Sequence, residues 1–368
     1  MDQPVNKAIN KILKGTFLAL NPLLHLKIGV VDVLEKEGGR KSFIRNFTRA
    51  LQQEGCEAKI VNLTTASIGE LNTFDILCFS DHFFGLQTWK LFLISNPKKI
   101  LTVHGWVTKE TILALKHSKT REKLSVLSSL VTWSFIPSLF DVLTCPTINT
   151  ARENNLKDAV IISNAVDPAC LVAQQTDLPD NEILVVTYTS IGGLKSVAVN
   201  RVIKATAKLN AILKDKKIRL MIFGKHQGNT ANSKYVSFMG YSDKFLEISK
   251  NAALFFAGYS FPDIGYTEME MGLMGVPIAK FTEDYESEEI VDGKTGILAK
   301  DENEMVSKLL AYFSDVTNQR RVLGQAFQQF ILENKSWPVI ISKWNRLFLL
   351  LMSNHDVNNS FGESQPTS

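Results

Sequence analysis

The sequence predicts an α/β fold made of two tandem Rossmann-like domains, each a doubly wound parallel sheet, that face a common cleft. Its 368 residues exceed what one hydrophobic core usually supports. Its 45% hydrophobic and 21% charged residues are typical of a folded globular protein. Short apolar segments alternate with helical patterns along the chain, which indicates parallel sheets covered by helices on both faces.

The first predicted domain, residues 26–167, opens as a strand, a glycine turn and a helix. The β-branched-rich segment 26–33 is the strand, Gly38 and Gly39 lie in the turn, and a helical pattern covers residues 41–54. Gly55 fits the C-cap of this helix. Further buried strands are predicted at residues 58–63, 74–80, 98–105, 141–147 and 158–167.

The second predicted domain, residues 182–335, follows a polar segment, residues 168–181, that has no clear period and is predicted to be a linker. A closing helix is predicted at residues 336–352, an N-terminal extension at 1–25 and a disordered polar tail at 353–368. Within the second domain, strands are predicted at residues 182–190, 218–228, 236–240, 252–260 and 276–281, and helices at 200–213, 243–249 and 267–274.

Composition and missing motifs exclude several classes of function. The net charge of +4 comes without a block of like charges, so nucleic-acid binding has no support. No GxGxxG turn opens either sheet, and Gly293-Lys294-Thr295 lacks the upstream glycine of a phosphate loop. The four cysteines form no CxxC pair, which favours a reducing compartment. With neither a signal-peptide layout nor a long apolar run, we expect a cytoplasmic protein, free or at the cytoplasmic face of a membrane.

Glycine turns and polar residues follow several predicted strands, and their order and spacing resemble the retaining group 1 (family 4) glycosyltransferases. The resemblance covers roughly residues 26 to 350. It rests on Gly38-Gly39, His104-Gly105, the Asn-Ala-Val-Asp turn at 164–167, Lys195, the segment 270–277 (EMGLMGVP), the segment 289–296 (EIVDGKTG) and Ser336-Trp337.

This resemblance implies the GT-B fold and a nucleotide-sugar donor held mainly by the second domain. Lys195 would contact the donor diphosphate, Glu270 would accept hydrogen bonds from the ribose, and His104 would approach the transferred sugar. Backbone amides of the loop 264–267 would support the diphosphate, as the positive end of the following helix does physically. The donor-binding residues implied are Gly38, Gly39, Ser190, Gly224, Asp263, Ile264, Gly265, Tyr266 and Thr267.

Each of these residues also has a purely structural interpretation. Lys195 could be a solvated loop lysine, and His104 a satisfied group at a strand end. Thr267 and Glu270 have the spacing of a capping box, which would explain both by helix stability alone. Gly38 and Gly39 could serve only a tight turn.

Two residues depart from the family pattern. Pro262 stands where the family has a glutamate that touches the donor sugar, with Asp263 the nearest carboxylate, and Ser190 replaces an arginine. These changes favour an alternative, a catalytically degenerate glycosyltransferase-like binding or scaffold protein. A nucleotide-binding oxidoreductase is a third hypothesis, for which the glycine fingerprint is absent.

The resemblance implies sugar transfer with retention to a glycan or lipid-linked acceptor. No metal or cofactor is expected, because Lys195 and the helix terminus can stabilise the leaving diphosphate. The segment 119–140 is basic at its start and apolar afterwards, so it is either a core helix or a peripheral membrane contact. The same ambiguity applies to the segment 9–24.

Overall fold

A computed structural model describes residues 25–32, 39–80, 88–105, 133, 135–168, 182–189, 193–224, 234–258, 264–282 and 287–353. Nearly all of the predicted linker, of the predicted tail and of the predicted N-terminal extension lies outside these residues. The segment 9–24 and most of 119–140, the two candidate membrane contacts, lie outside them as well.

The first sheet contains six parallel strands in the order β2-β1-β3-β4-β5-β6. Its strand order reverses between β1 and β3, as expected for a doubly wound sheet. The elements of this part are β1 (Lys27–Asp32), α1 (Gly39–Gln53), β2 (Glu57–Asn62), α2 (Ile68–Leu71), β3 (Ile76–Phe79), α3 (Thr88–Leu93), β4 (Lys98–Thr102), β5 (Val142–Cys145), α4 (Ile148–Glu153) and β6 (Val160–Ile161).

The second sheet also contains six parallel strands, in the order β12-β11-β10-β7-β8-β9. Here the order reverses between β7 and β10. Its elements are β7 (Glu182–Thr189), α5 (Gly193–Ile212), β8 (Lys217–Gly224), β9 (Val236–Gly240), α6 (Phe245–Ser249), β10 (Leu254–Ala257), α7 (Tyr266–Leu273), β11 (Ile278–Phe281), β12 (Ile297–Ala299), α8 (Glu302–Ser314), α9 (Val316–Asn334) and α10 (Trp337–Met352).

The predicted fold class, two doubly wound parallel-sheet units, is therefore confirmed. Most strands could be recognised because they are short apolar segments; β3 and β10 are buried at every residue. Helices α8 and α9 were not predicted, although their apolar residues recur at helical spacing.

The closing helix α10 packs on the first sheet although it follows the second in sequence. Its buried side chains join α1 and the first-sheet strands in one apolar core. At its centre, the Trp344 ring lies 4.7 Å from Phe47 and 5.8 Å from Phe348 between centroids. We use "first lobe" for the first sheet with α1 to α4 and α10, and "second lobe" for the second sheet with α5 to α9.

The segment that leaves the first lobe and the one that returns to it are paired with each other. Val166 N donates to Lys335 O at 2.8 Å, and Trp337 N donates to Val166 O at 3.1 Å. This short parallel bridge joins the predicted Asn-Ala-Val-Asp turn to the Ser336-Trp337 motif. Both motifs therefore lie at the crossover between the lobes.

Among the described helices, none combines the length and the apolar character needed to cross a bilayer. Of segment 119–140, Ile136 and Phe140 are buried in the core beneath α2 and α3, whereas Phe135 is exposed.

Candidate functional site

The strand order of the second sheet brings two of the predicted site segments to one edge. Strands β7 and β10 are neighbours at the point where the order reverses. Ligands of open α/β sheets bind beyond the carboxyl ends of the strands at such a point. Helix α5, which carries Lys195, follows β7, and the loop that carries Ile264 and Gly265 follows β10.

The two backbone amides before α7 are each held by a buried carboxylate. The Ile264 amide donates to Glu289 Oε2, and the Gly265 amide donates to Glu268 Oε2 at 2.7 Å. The first intrahelical bond follows, from Met269 N to Gly265 O at 3.0 Å. The amides of the first turn have no acceptor within a helix, so they point out of its positive end. The Ile264 and Gly265 amides each donate their single hydrogen within the protein, so an anion at this site would interact with the positive end of the helix and not with these two amides.

The capping box predicted for Thr267 and Glu270 is wrong. Gly265 is the N-cap, Thr267 lies inside the helix, and Glu268 is the residue that reaches back to the N-cap amide. The prediction placed the N-cap two residues too late, at Thr267 instead of Gly265. Capping therefore does not account for Glu270.

Glu270 lies in α7 with its carboxyl group largely buried. Burial raises its pKa to about 7, and in the described part of the chain no hydrogen bond or ion pair offsets this effect. Burial, followed by the neighbouring Tyr241 and then by the charge of Glu270, raises the pKa of Tyr188 at the end of β7. A carboxylate placed in this way can accept hydrogen bonds from two hydroxyl groups of a ligand.

Lys195 lies in the first turn of α5 and not in a loop. The helix begins at Gly193, seven residues before the predicted start at residue 200. Lys195 is therefore a helix residue, and its interpretation as a loop lysine is wrong. Its side chain lies outside what the structure describes. Gly39 is the first residue of α1. Four further positions, Gly38, Ser190, Pro262 and Asp263, lie outside the described residues.

His104 lies two residues after β4, in the first lobe. Its ring makes an edge contact with Phe43 at 5.1 Å between centroids. The next residue, Gly105, has φ +73°, and Asn154 Nδ2 donates to its carbonyl oxygen at 2.8 Å. A side chain at residue 105 would be strained in this conformation, so glycine and Asn154 together fix the turn that carries the histidine.

Tyr266 connects the loop before α7 to the first lobe. It packs against the core of the second lobe and also against the first-lobe core that contains Phe43. Because Phe43 also contacts His104, the two predicted site segments border the same apolar core. Residues from both lobes are thereby brought together, while Thr267 remains partly exposed.

Gly224 has a structural explanation in the second sheet. Its φ is +89°, and a Cβ atom there would lie 1.9 Å from the Thr189 carbonyl oxygen, in the paired strand. Close strand pairing therefore requires glycine at this position. The predicted role in donor binding stays a prediction.

Sequence reasoning missed the residues that hold the site segments in place. Glu268 and Glu289 accept the amides of Gly265 and Ile264, and Asn154 donates to the Gly105 carbonyl oxygen. No motif states these roles. For Glu289, its place in the EIVDGKTG motif was the available signal. For metal ions, the described residues contain no group of three or more histidine, cysteine, aspartate or glutamate side chains that could hold one.

No family model matches the sequence, and no curated protein matches it. Solved structures do resemble it. Sucrose-phosphate synthase from Thermosynechococcus elongatus is 13% identical with a TM-score of 0.67, over 89% of this chain and 99% of that one. Anabaena HepE, solved with UDP and glucose, is 12% identical with a TM-score of 0.64, over 90% and 100% of the two chains.

A glycosyltransferase from Rickettsia africae is similar too, at 13% identity and a TM-score of 0.62 over 89% of this chain and 98% of that one. The fold is that of the GT-B glycosyltransferases. At these identities the likeness concerns the fold. The GT-B architecture implied by the sequence resemblance is thereby confirmed.

Proposed function

We propose that the protein is a glycosyltransferase that moves a sugar from a nucleotide-diphosphate donor to a glycan or lipid-linked acceptor, with retention of anomeric configuration. The observation that carries this proposal is that three predicted site groups follow β7 and β10, the two strands between which the order of the second sheet reverses. There the start of α5 with Lys195, the amide-rich start of α7 and the buried Glu270 carboxyl group follow neighbouring strands. Similar structures were solved with UDP or UDP-glucose bound, which supports a nucleotide-sugar donor.

Each group has a chemical role in this proposal. The departing diphosphate gains negative charge as its bond to the sugar breaks, and the α7 N-terminus and Lys195 stabilise that charge. Glu270, when ionised, accepts hydrogen bonds from the ribose hydroxyl groups. His104 approaches the sugar from the first lobe. The acceptor hydroxyl attacks the anomeric carbon on the face from which the diphosphate leaves, and its proton passes to the departing diphosphate oxygen. No metal ion or further cofactor is needed for these steps.

Release of nucleoside diphosphate tests the proposal. Purified protein is given UDP-, GDP- and ADP-sugars in turn, with and without a membrane extract as acceptor source. We expect turnover with one nucleotide and a loss of at least about 100-fold in Lys195→Ala, which removes a charge that acts on the transition state. Glu270→Ala should weaken donor binding, because it removes the acceptor of the ribose hydroxyl groups. Lys208→Ala, on the opposite part of α5 and paired with Glu302, is a matched control that should keep full activity.

Donor binding without turnover across the whole panel would instead support the degenerate binding protein, the alternative suggested by Pro262 and Ser190. Absence of both binding and turnover would contradict the proposed function. Location at the cytoplasmic face of a membrane is a separate part of the proposal. Sedimentation with anionic vesicles would test it.

A further inference from the structure

Glu289 is a buried carboxylate with partners in two other parts of the molecule. One oxygen, Oε2, accepts the Ile264 amide at the start of the α7 loop. The other, Oε1, forms an ion pair with Lys335, and the side chains of both residues are less than a tenth exposed. Glu289 itself lies in the segment between β11 and β12.

Lys335 brings the first lobe into this network. Its backbone carbonyl oxygen is half of the bridge between the two crossover segments, and its Nζ donates to Ser163 Oγ at 2.6 Å. Ser163 follows β6 of the first lobe. The chain of contacts therefore runs from Ser163 through Lys335 and Glu289 to the Ile264 amide, across the lobe boundary.

A second carboxylate and lysine pair holds the next amide of the same loop. Glu268 accepts from the Gly265 amide and forms an ion pair with Lys280 at 3.4 Å, with both side chains buried. This pair lies entirely within the second lobe. The two consecutive amides before α7 are thus fixed in the same way, but only the Glu289 pair connects to the crossover.

The charge of each carboxylate needs its lysine for a specific reason. A carboxylate that binds an amide beside the α7 N-terminus would repel an anion arriving there, unless a cation cancels its charge. A buried ion pair gains little net stability relative to apolar groups, whereas removing one partner leaves a costly unpaired charge. The Glu289–Lys335 pair is therefore better explained by its effect on the loop before α7 than by a contribution to the stability of the fold.

We propose that Glu289 and Lys335 are positioning residues for the diphosphate site: Glu289 fixes the Ile264 amide, and Lys335 cancels its charge from the lobe crossover. This inference rests on the proposed function, because it assigns the α7 N-terminus to the diphosphate. It follows that a change at the crossover alters donor affinity without any contact to the donor.

Binding of UDP, GDP and ADP to Lys335→Met, Glu289→Gln and the double variant tests this proposal by calorimetry. Lys335→Met should weaken binding of the preferred nucleoside diphosphate by about tenfold or more, because Glu289 is left charged beside the phosphates. The double variant should recover most of that loss, since glutamine still accepts the Ile264 amide without a charge. Binding of the matching nucleoside, which carries no phosphate, should change less than about twofold in Lys335→Met.

Glu288→Gln is the matched control. This neighbouring carboxylate also bridges the lobes, accepting the Ile148 amide at 3.0 Å and the Asn149 amide at 2.6 Å, but it does not touch the α7 loop. It should bind the diphosphate as the unmodified protein does. Equal losses in Glu288→Gln and Lys335→Met would show that loosened lobe contact, and not the Glu289 charge, determines affinity.

Hydrogen exchange of residues 264–268 provides a measurement without ligand. Exchange in this segment should accelerate at least tenfold in Glu289→Ala and remain unchanged in Glu288→Gln. Unchanged exchange in Glu289→Ala, or no recovery in the double variant, would overturn the inference. If the unmodified protein binds no nucleoside diphosphate, the proposed function fails separately, and the exchange result alone decides whether Glu289 positions the loop. The double variant leaves no unpaired buried charge, so it serves if Lys335→Met does not fold.

Discussion

Glu270 is the residue whose chemistry differs most from its ordinary behaviour. Its carboxyl group is buried without a compensating partner among the described residues, and its pKa rises to about 7. The sequence motif pointed to this residue, but no sequence pattern could give its burial. The capping role, which was the alternative interpretation of Glu270, belongs to Glu268, because Gly265 is the N-cap of the helix.

Stability should depend on pH through Glu270. Its pKa is higher in the folded protein than in the unfolded chain, where it is near 4.5. The folded state therefore binds more protons, and the contribution of Glu270 to stability is lost as pH rises from about 4.5 through 7. Relative to Glu270→Gln, the unmodified protein should lose on the order of 2 kcal/mol between pH 5 and pH 8.

Urea unfolding of both proteins at pH 5 and pH 8 measures this difference. Glu57→Gln, at the exposed start of β2 in the first lobe, serves as the control and should retain the loss of stability between pH 5 and pH 8. A pH dependence of the Glu270→Gln variant identical to that of the unmodified protein would contradict the assignment.

At the scale of elements, most strands and half of the described helices could be predicted, whereas the contacts that orient them could not. Most strands could be recognised as short apolar segments, and glycines indicated the turns that follow them. The close approach of α7 and α9 could not be predicted, because it depends on glycines that face residues distant in sequence. A Cβ atom at Gly324 would lie 2.1 Å from the Gly275 carbonyl oxygen, and one at Gly272 would lie 2.7 Å from Ile331 Cγ1.

Gly324→Ala should therefore destabilise the protein by about 2 to 3 kcal/mol, since a backbone atom blocks the added methyl group and overpacking of this kind is costly. The gain in helix propensity, about 1 kcal/mol, does not offset this cost. Gly69→Ala in α2 is the matched control, because its nearest neighbour would be 3.8 Å away. Thermal unfolding should show a lower Tm for Gly324→Ala alone, and an equal or higher Tm would contradict the packing argument.

At the scale of the molecule, the chain returns to its first lobe after completing the second. Helix α10 could be predicted as an element, but its place in the first-lobe core could not, because no local pattern states which sheet a helix covers. Its tryptophans and Phe47 form that core with α1. The stability of the first lobe therefore depends on residues at the far end of the sequence.

Trp344→Ala should destabilise the first lobe by about 3 to 5 kcal/mol, as expected for removal of a fully buried tryptophan. Hydrogen exchange of β1 to β4 should accelerate, while exchange of β7, β8 and β10 should remain near its original rate. Leu349→Ala, on the exposed side of the same helix, should have little effect on either sheet. Acceleration confined to the second sheet would contradict the assignment of α10 to the first lobe.

The central claim is that a nucleoside diphosphate binds where β7 and β10 meet, between the start of α5 and the start of α7. Hydrogen exchange with and without UDP, GDP or ADP tests it most directly. We predict that the diphosphate that binds protects residues 193–197 and 264–270 together and leaves α8 and α9 unchanged. Binding that protects neither segment, or protects only segments of the first lobe, would contradict the claim.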